Sequence, residues 1–114
     1  MIPAPVRNAL EQVVALLSAG RFEDLERLDR GGRMKAGEWR RGVEEYGKKL
    51  ILPPPEDLDT ADVVSLRGSE DSAWSVWYRL WTEEEGKSDL SVELTVRSIG
   101  GDDMNVTLDD LRVP

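Results

Sequence analysis

From Val6 onward the apolar residues recur every three or four positions. Val6, Leu10, Val13, Val14 and Leu17 form one stripe, with Pro5 at its start and Gly20 just past its end. This pattern predicts an amphipathic helix of about four turns. Phe22, Leu25 and Leu28 continue at a spacing of three through a charged segment that Gly31-Gly32 stops, which predicts a second, shorter helix. A third stripe runs Trp39, Val43, Tyr46, Leu50. Within it Glu44 and Glu45 stand four residues before Lys48 and Lys49, the favourable order for ion pairs along a helix. Pro53-Pro54-Pro55 cannot continue that helix and predicts a stiff connector over residues 53–57.

Beyond the prolines the period changes to two. Residues 62–67, 73–81, 90–97 and 105–113 read as four strands joined by polar turns at 68–72, 82–89 and 99–104. Short connections favour an antiparallel meander. The expected architecture is therefore a single α+β domain over residues 1–114. Three N-terminal helices (residues 1–52) and the connector precede a four-stranded sheet (residues 58–114).

Alternation also assigns faces. Trp74, Val76, Tyr78 and Leu80 point one way and join Leu90, Val92, Leu94 and Val96 in a core row. The opposite face then carries Ser75, Trp77, Arg79 and Trp81 beside Ser91, Glu93, Thr95 and Arg97: polar, apart from two indoles. In the last strand Val106 and Leu108 fit the core row, whereas Leu111 and Val113 are out of phase. A bulge at Asp109-Asp110 is required to bring them back.

Charge alters this picture through its placement. The formal net charge is −8, yet the first 57 residues are neutral and the sheet half carries all of it. Such a surface repels phosphate backbones, so no nucleic-acid partner is expected, while a cationic protein is favoured. With no His and no Cys, imidazole- and thiol-based catalysis and the usual zinc sites are excluded. No cofactor is expected, and no metal either: Asp57, Asp59 and Asp62 lack the spacing of a calcium loop, and Glu83–Glu85 with Asp89 offer no preformed geometry. No apolar run approaches the roughly 20 residues of a membrane span, and no secretory signal is seen, so a cytoplasmic location is expected. The sequon Asn105-Val106-Thr107 is then accidental.

Trp77 and Trp81 are the natural anchors for a protein contact, or the walls of a pocket if the sheet curls. Arg79 and Glu93 are expected to pair across the strands; alternatively, Glu93 desolvated between the indoles serves as a general base. The acidic turns collect at two ends of the meander. Glu70, Asp71, Asp102 and Asp103 lie at one end, and Asp59, Asp62, Glu83, Glu84, Glu85 and Asp89 at the other, with Asp109 and Asp110 toward the latter. Together they make a field that steers a basic partner.

The segment from Leu80 to Leu90, with its LWT, EEG and SDL blocks, precedes the strand Glu93-Leu94-Thr95 and the closing Asp109-Asp110-Leu111-Arg112-Val113. Over this last third the chain resembles a family of small uncharacterised bacterial proteins of unknown function. The resemblance implies no catalytic residue. The helices-then-meander order also resembles the cystatin-like and nuclear-transport-factor-like folds, which implies a curved sheet wrapped on helices.

The expected function is a non-catalytic acidic interaction module, one form of which is an immunity-type protein that neutralises a basic toxin. In that reading Trp77 and Trp81 anchor, Glu83, Glu84, Glu85, Asp109 and Asp110 steer, and Arg79 belongs to the same partner-binding surface. The alternative is a small-ligand-binding or enzymatic domain of nuclear-transport-factor-like type, with Glu93 or Asp109 as base and Trp77, Trp81 and Tyr78 lining its pocket. A homodimer through the Trp77/Trp81 face is compatible with either.

Overall fold

A computed structural model describes residues 2–66, 68, 72–101 and 103–114. Three α-helices, α1 (Ala4–Ser18), α2 (Phe22–Leu28) and α3 (Ala36–Tyr46), come first. A two-residue strand β1 (Leu50–Ile51) and a 3-10 helix (Pro55–Thr60) follow, then β2 (Asp62–Ser65), β3 (Ala73–Thr82), β4 (Gly86–Gly100) and β5 (Asp103–Arg112). The protein is thus α+β with an antiparallel sheet, but of five strands rather than four. β2, β3, β4 and β5 form the meander, and β1 pairs with the far end of β3, Leu50 opposite Thr82 and Ile51 opposite Trp81.

β1 escapes the sequence pattern because the apolar stripe of α3 runs on to Leu50. The helix stops earlier, at Gly47, whose φ of 77° supplies the left-handed cap and turns the chain away. Leu50 is still buried, at the sheet edge rather than on the helix. Lys48 and Lys49 consequently lie beyond the helix and make no ion pair with Glu44 or Glu45 among the described residues. The connector is also more than a spacer. Pro55 opens the 3-10 helix, whose Leu58 is 3% exposed, and Arg7 of α1 ties it down through the Pro55 carbonyl (3.3 Å) and the Asp59 carboxylate (2.5 Å).

The core lies between α1 and one face of the sheet. The α1 stripe Val6, Leu10, Val13, Val14 and Leu17 is buried, as are Trp74, Val76, Tyr78 and Leu80 of β3 and Leu90, Val92, Leu94 and Val96 of β4. The two strand rows therefore share the covered face, as alternation requires. Trp39 of α3 is fully buried beside them.

The expected bulge in β5 is present. Asp110 faces Glu93 but Leu108 faces Leu94, so Asp109 is an extra residue with no partner across the ladder. The phase change returns Leu111 to the core side, where it lies against α3 at Gly42; Val113 remains exposed. β5 is an edge strand, and the chain leaving α2 covers it. Arg30 N–H donates to the Val106 carbonyl (2.8 Å), and Asp29 Oδ1 accepts from the N–H groups of Leu108 (2.9 Å) and Gly31 (2.9 Å). Gly31 is needed there, because a Cβ would collide with the Thr107 methyl group.

Candidate functional site

Strand register decides what surrounds each indole. Trp77 of β3 faces Asp62 of β2 on one side and Glu93 of β4 on the other, and Glu93 in turn faces Asp110 of β5. Four strands thus contribute one cross-strand row, Asp62, Trp77, Glu93, Asp110, on the face opposite the core. Asp109, displaced by the bulge, joins it: its Oδ2 accepts a hydrogen bond from Thr95 Oγ1 at 2.8 Å. Among the described residues α1 packs against β3, β4 and β5 on the other side of the sheet, and α3 packs against β5. Among the described residues this face is uncovered, with Trp77 half-buried and Val64 of β2 64% exposed.

The expected Arg79–Glu93 pair does not form, because the register sets Arg79 opposite Ser91 and gives Trp77 to Glu93. Arg79 instead bonds the Ser88 carbonyl (2.9 Å) and pairs with Asp89 (3.3 Å), while Glu93 pairs with Arg112 (3.0 Å). Glu93 is therefore an ion-paired carboxylate, not an isolated one between two indoles.

Trp81 leaves that face altogether. Between Arg79 and Trp81 the ladder is irregular: Leu80 alone opposes the stretch of β4 from Ser88 to Leu90. Ser88 Oγ fills the gap by donating to the Leu80 carbonyl (2.7 Å) and accepting from Leu90 N–H (3.2 Å). The Trp81 ring lines a crevice with Val14, Leu17, Leu50, Ile51 and Pro53 that has no room for a water molecule. Its indole N–H donates to Asp57 Oδ2 at 2.8 Å. The same oxygen accepts from Tyr78 Oη (2.6 Å) and Lys87 Nζ (3.1 Å), and Lys87 also donates to Thr60 Oγ1 (2.6 Å). Lys87 Nζ sits 5.2 Å from the centre of the Tyr78 ring.

This cluster is electrostatically self-contained. Burial raises the Asp57 carboxyl, but its hydrogen bonds from Tyr78, Trp81 and Lys87 outweigh that and hold it below its ordinary value of 3.8. Burial, then the Asp57 carboxylate, pushes the Tyr78 hydroxyl well above its ordinary value of 10. Tyr78, Trp81 and Lys87 each donate to a partner within the cluster, which is the signature of a structural clasp. Sequence alternation could not find it: Asp57 lies in a proline-led segment with no periodicity, and only the fold of that strap over β3 brings it to Tyr78.

The acidic turn is likewise partly committed. Glu85 accepts from Tyr46 Oη (2.8 Å) and Glu84 from Lys49 N–H (3.0 Å), fastening the end of α3 to the β3–β4 turn; Glu83 is exposed. That turn lies past Thr82, about 16 Å along β3 from Trp77 at roughly 3.3 Å per residue. Asp109 and Asp110 sit mid-sheet beside Glu93, not with Glu83–Glu85. Glu70, Asp71 and Asp102 lie outside the described residues. Among those described, no three carboxylates converge closely enough to hold a metal ion.

Trp77 separates two shallow concavities. The larger, about 300 Å³, is lined by Asp62, Val64, Ser75, Trp77, Glu93 and Asp109. The smaller, about 100 Å³, is lined by Thr60, Asp62, Trp77, Arg79 and Lys87. The larger concavity thus has three carboxylates and no cation, whereas the smaller shares Asp62 with two cations. No helix in the described residues is long and apolar enough to cross a membrane. Neither the curated proteins nor the solved structures contain a significant match to the chain. A family model does match, over residues 14–114, and the chain accordingly belongs to the family described as Domain of unknown function (DUF7668).

Proposed function

We propose that the protein is a non-catalytic interaction module whose open sheet face, centred on Trp77, receives a basic protein partner. The observation that carries this reading is the cross-strand row Asp62, Trp77, Glu93, Asp110 on a face that no helix of the described residues covers. A partly exposed indole beside several carboxylates supplies what a protein contact uses: a rigid apolar anchor and a field that draws cations to it. Neutralisation of a basic toxin, as an immunity protein, is the specific form of this reading that the acidic sheet half favours. The alternative, a ligand-binding or enzymatic domain of the nuclear-transport-factor-like type, calls for a cavity between helices and sheet; the crevice between α1, β1 and Trp81 is too tight to serve as one.

The test is retention of partners from a cell lysate by immobilised wild-type protein and by Trp77→Ala. A basic protein held by the wild type, released by about 0.5 M salt, where screening shortens to a few ångströms, and not held by Trp77→Ala is the expected result. Retention indifferent to both salt and Trp77 would overturn the reading.

A further inference from the structure

We infer that the concavity beside Trp77 is a socket for a single arginine side chain of the partner, with the guanidinium stacked on the indole. This inference deepens the interaction reading and rests on it. Neighbouring strands stand about 4.8 Å apart, so Asp62 and Glu93 flank the Trp77 ring at one strand spacing on either side. A planar cation lying on the ring points its N–H edges outward, toward those two positions. Asp109, pushed out of the ladder by the bulge and steadied by Thr95, closes the third side.

Size and charge agree with one long side chain. The concavity, about 300 Å³ and open to solvent, has room for an arginine head and stem but is at the lower limit of pockets that bury whole small molecules. Two of the three carboxylates are still available. Glu93 is shared with Arg112, whereas Asp62 and Asp109 have no ion-pair partner among the described residues. The cations nearest the other flank cannot serve, since Arg79 is held by Asp89 and Lys87 by Asp57. Val64, 64% exposed at the rim, offers apolar surface for the methylene stem. Arginine is favoured over lysine because only a planar, weakly hydrated fork can stack on the ring and donate to separate carboxylates at once.

The experiment titrates the isotope-labelled full chain with Nα-acetyl-arginine amide, and separately with its lysine and citrulline counterparts, while amide and indole NMR signals are followed. Saturable shifts at the Trp77 indole and at Asp62, Glu93 and Asp109 are expected with arginine in the millimolar range. Lysine should bind several-fold more weakly, and citrulline, which keeps the shape but not the charge, should leave the signals in place. Asp62→Asn/Asp109→Asn should weaken arginine binding about tenfold. No saturable shift at Trp77, equal shifts with citrulline, or shifts centred on the Glu83–Glu85 turn would overturn the socket. If a salt-sensitive, Trp77-dependent partner still binds the double variant undiminished, the socket fails while the interaction reading stands. If arginine binds but no such partner exists, the interaction reading fails and the socket stands as a cation site.

Discussion

Of the three indoles on β3, Trp74 lies in the core, and the fold treats the other two, Trp77 and Trp81, in opposite ways. Trp81 is closed over by the strap of residues 53–60, its N–H spent on Asp57 and its ring set against α1 and β1. Trp77 is left on the open face, its indole N–H buried without an acceptor among the described residues although carboxylates stand on the neighbouring strands. Both sites pair an indole with acidic side chains. At Trp81 one carboxylate oxygen gathers three donors and becomes structure; at Trp77 several carboxylates gather few donors and remain surface. An aromatic-and-acid motif is therefore ambiguous until the number of donors per carboxylate is known.

The sharpest way to break this comparison is to remove the central side chain of each site, Asp57 from one and Trp77 from the other. Asp57→Ala strands the Tyr78 hydroxyl, the Trp81 N–H and the Lys87 ammonium together, in a place where the carboxylate is only 14% exposed. Losing one partner of a largely buried network costs about 3 kcal/mol. For a domain of this size that lowers the thermal midpoint by roughly 10–15 °C, readable by calorimetry. Trp77→Ala, by contrast, removes only a half-buried ring and should cost about 1 kcal/mol. Equal losses at the two sites would erase the distinction between clasp and surface.

A second, smaller effect comes from pH, and the clasp should show it at both extremes. Asp57 titrates below 3.8 in the folded chain, so it stabilises at neutral pH, and that contribution is lost as pH falls through the folded pKa. The wild type's stability advantage over Asp57→Asn should therefore be full at pH 7 and shrink below about 3.8. Tyr78 has the opposite sense: its folded pKa lies above 10, so the unfolded chain releases the proton first and stability falls as pH rises past 10. Tyr78→Phe should flatten that alkaline decline in urea titrations. An unchanged alkaline slope would show that Tyr78 ionises as freely folded as unfolded.

Much of the open face was legible from the chain because strand alternation is a local rule. Trp74, Val76, Tyr78 and Leu80 went inside and Trp77 outside as the period of two demands, and the phase slip between Leu108 and Leu111 announced the bulge at Asp109. What escaped was non-local. β1 is two residues hidden at the end of a helical stripe, and Asp57 meets Tyr78 and Lys87 across 21 and 30 positions of sequence. Trp81 obeyed alternation on paper, but the irregular pairing after Arg79 and the strap above it took it off the face. Register was the remaining unknown: it gave Glu93 to Trp77 and Arg112 rather than to Arg79.

The mildest perturbation sharpens the comparison from the other side. Asp62→Asn/Asp109→Asn removes two negative charges from a face where neither has an ion-pair partner among the described residues, and where Glu93 and Asp110 already stand close by. A carboxylate that gathers donors stabilises the fold; one that faces other carboxylates across water contributes only repulsion, weak at ordinary ionic strength. The double variant should therefore match the wild type within about 0.5 kcal/mol, with any change toward greater stability and largest at low salt. The amide oxygen introduced by Asp109→Asn can still accept the Thr95 hydroxyl, so the bulge keeps its support. A loss of more than about 1 kcal/mol in denaturant titrations would mean that these acids hold the sheet together as Asp57 does. In that event the Trp77 face would be a second clasp rather than a surface kept for a partner.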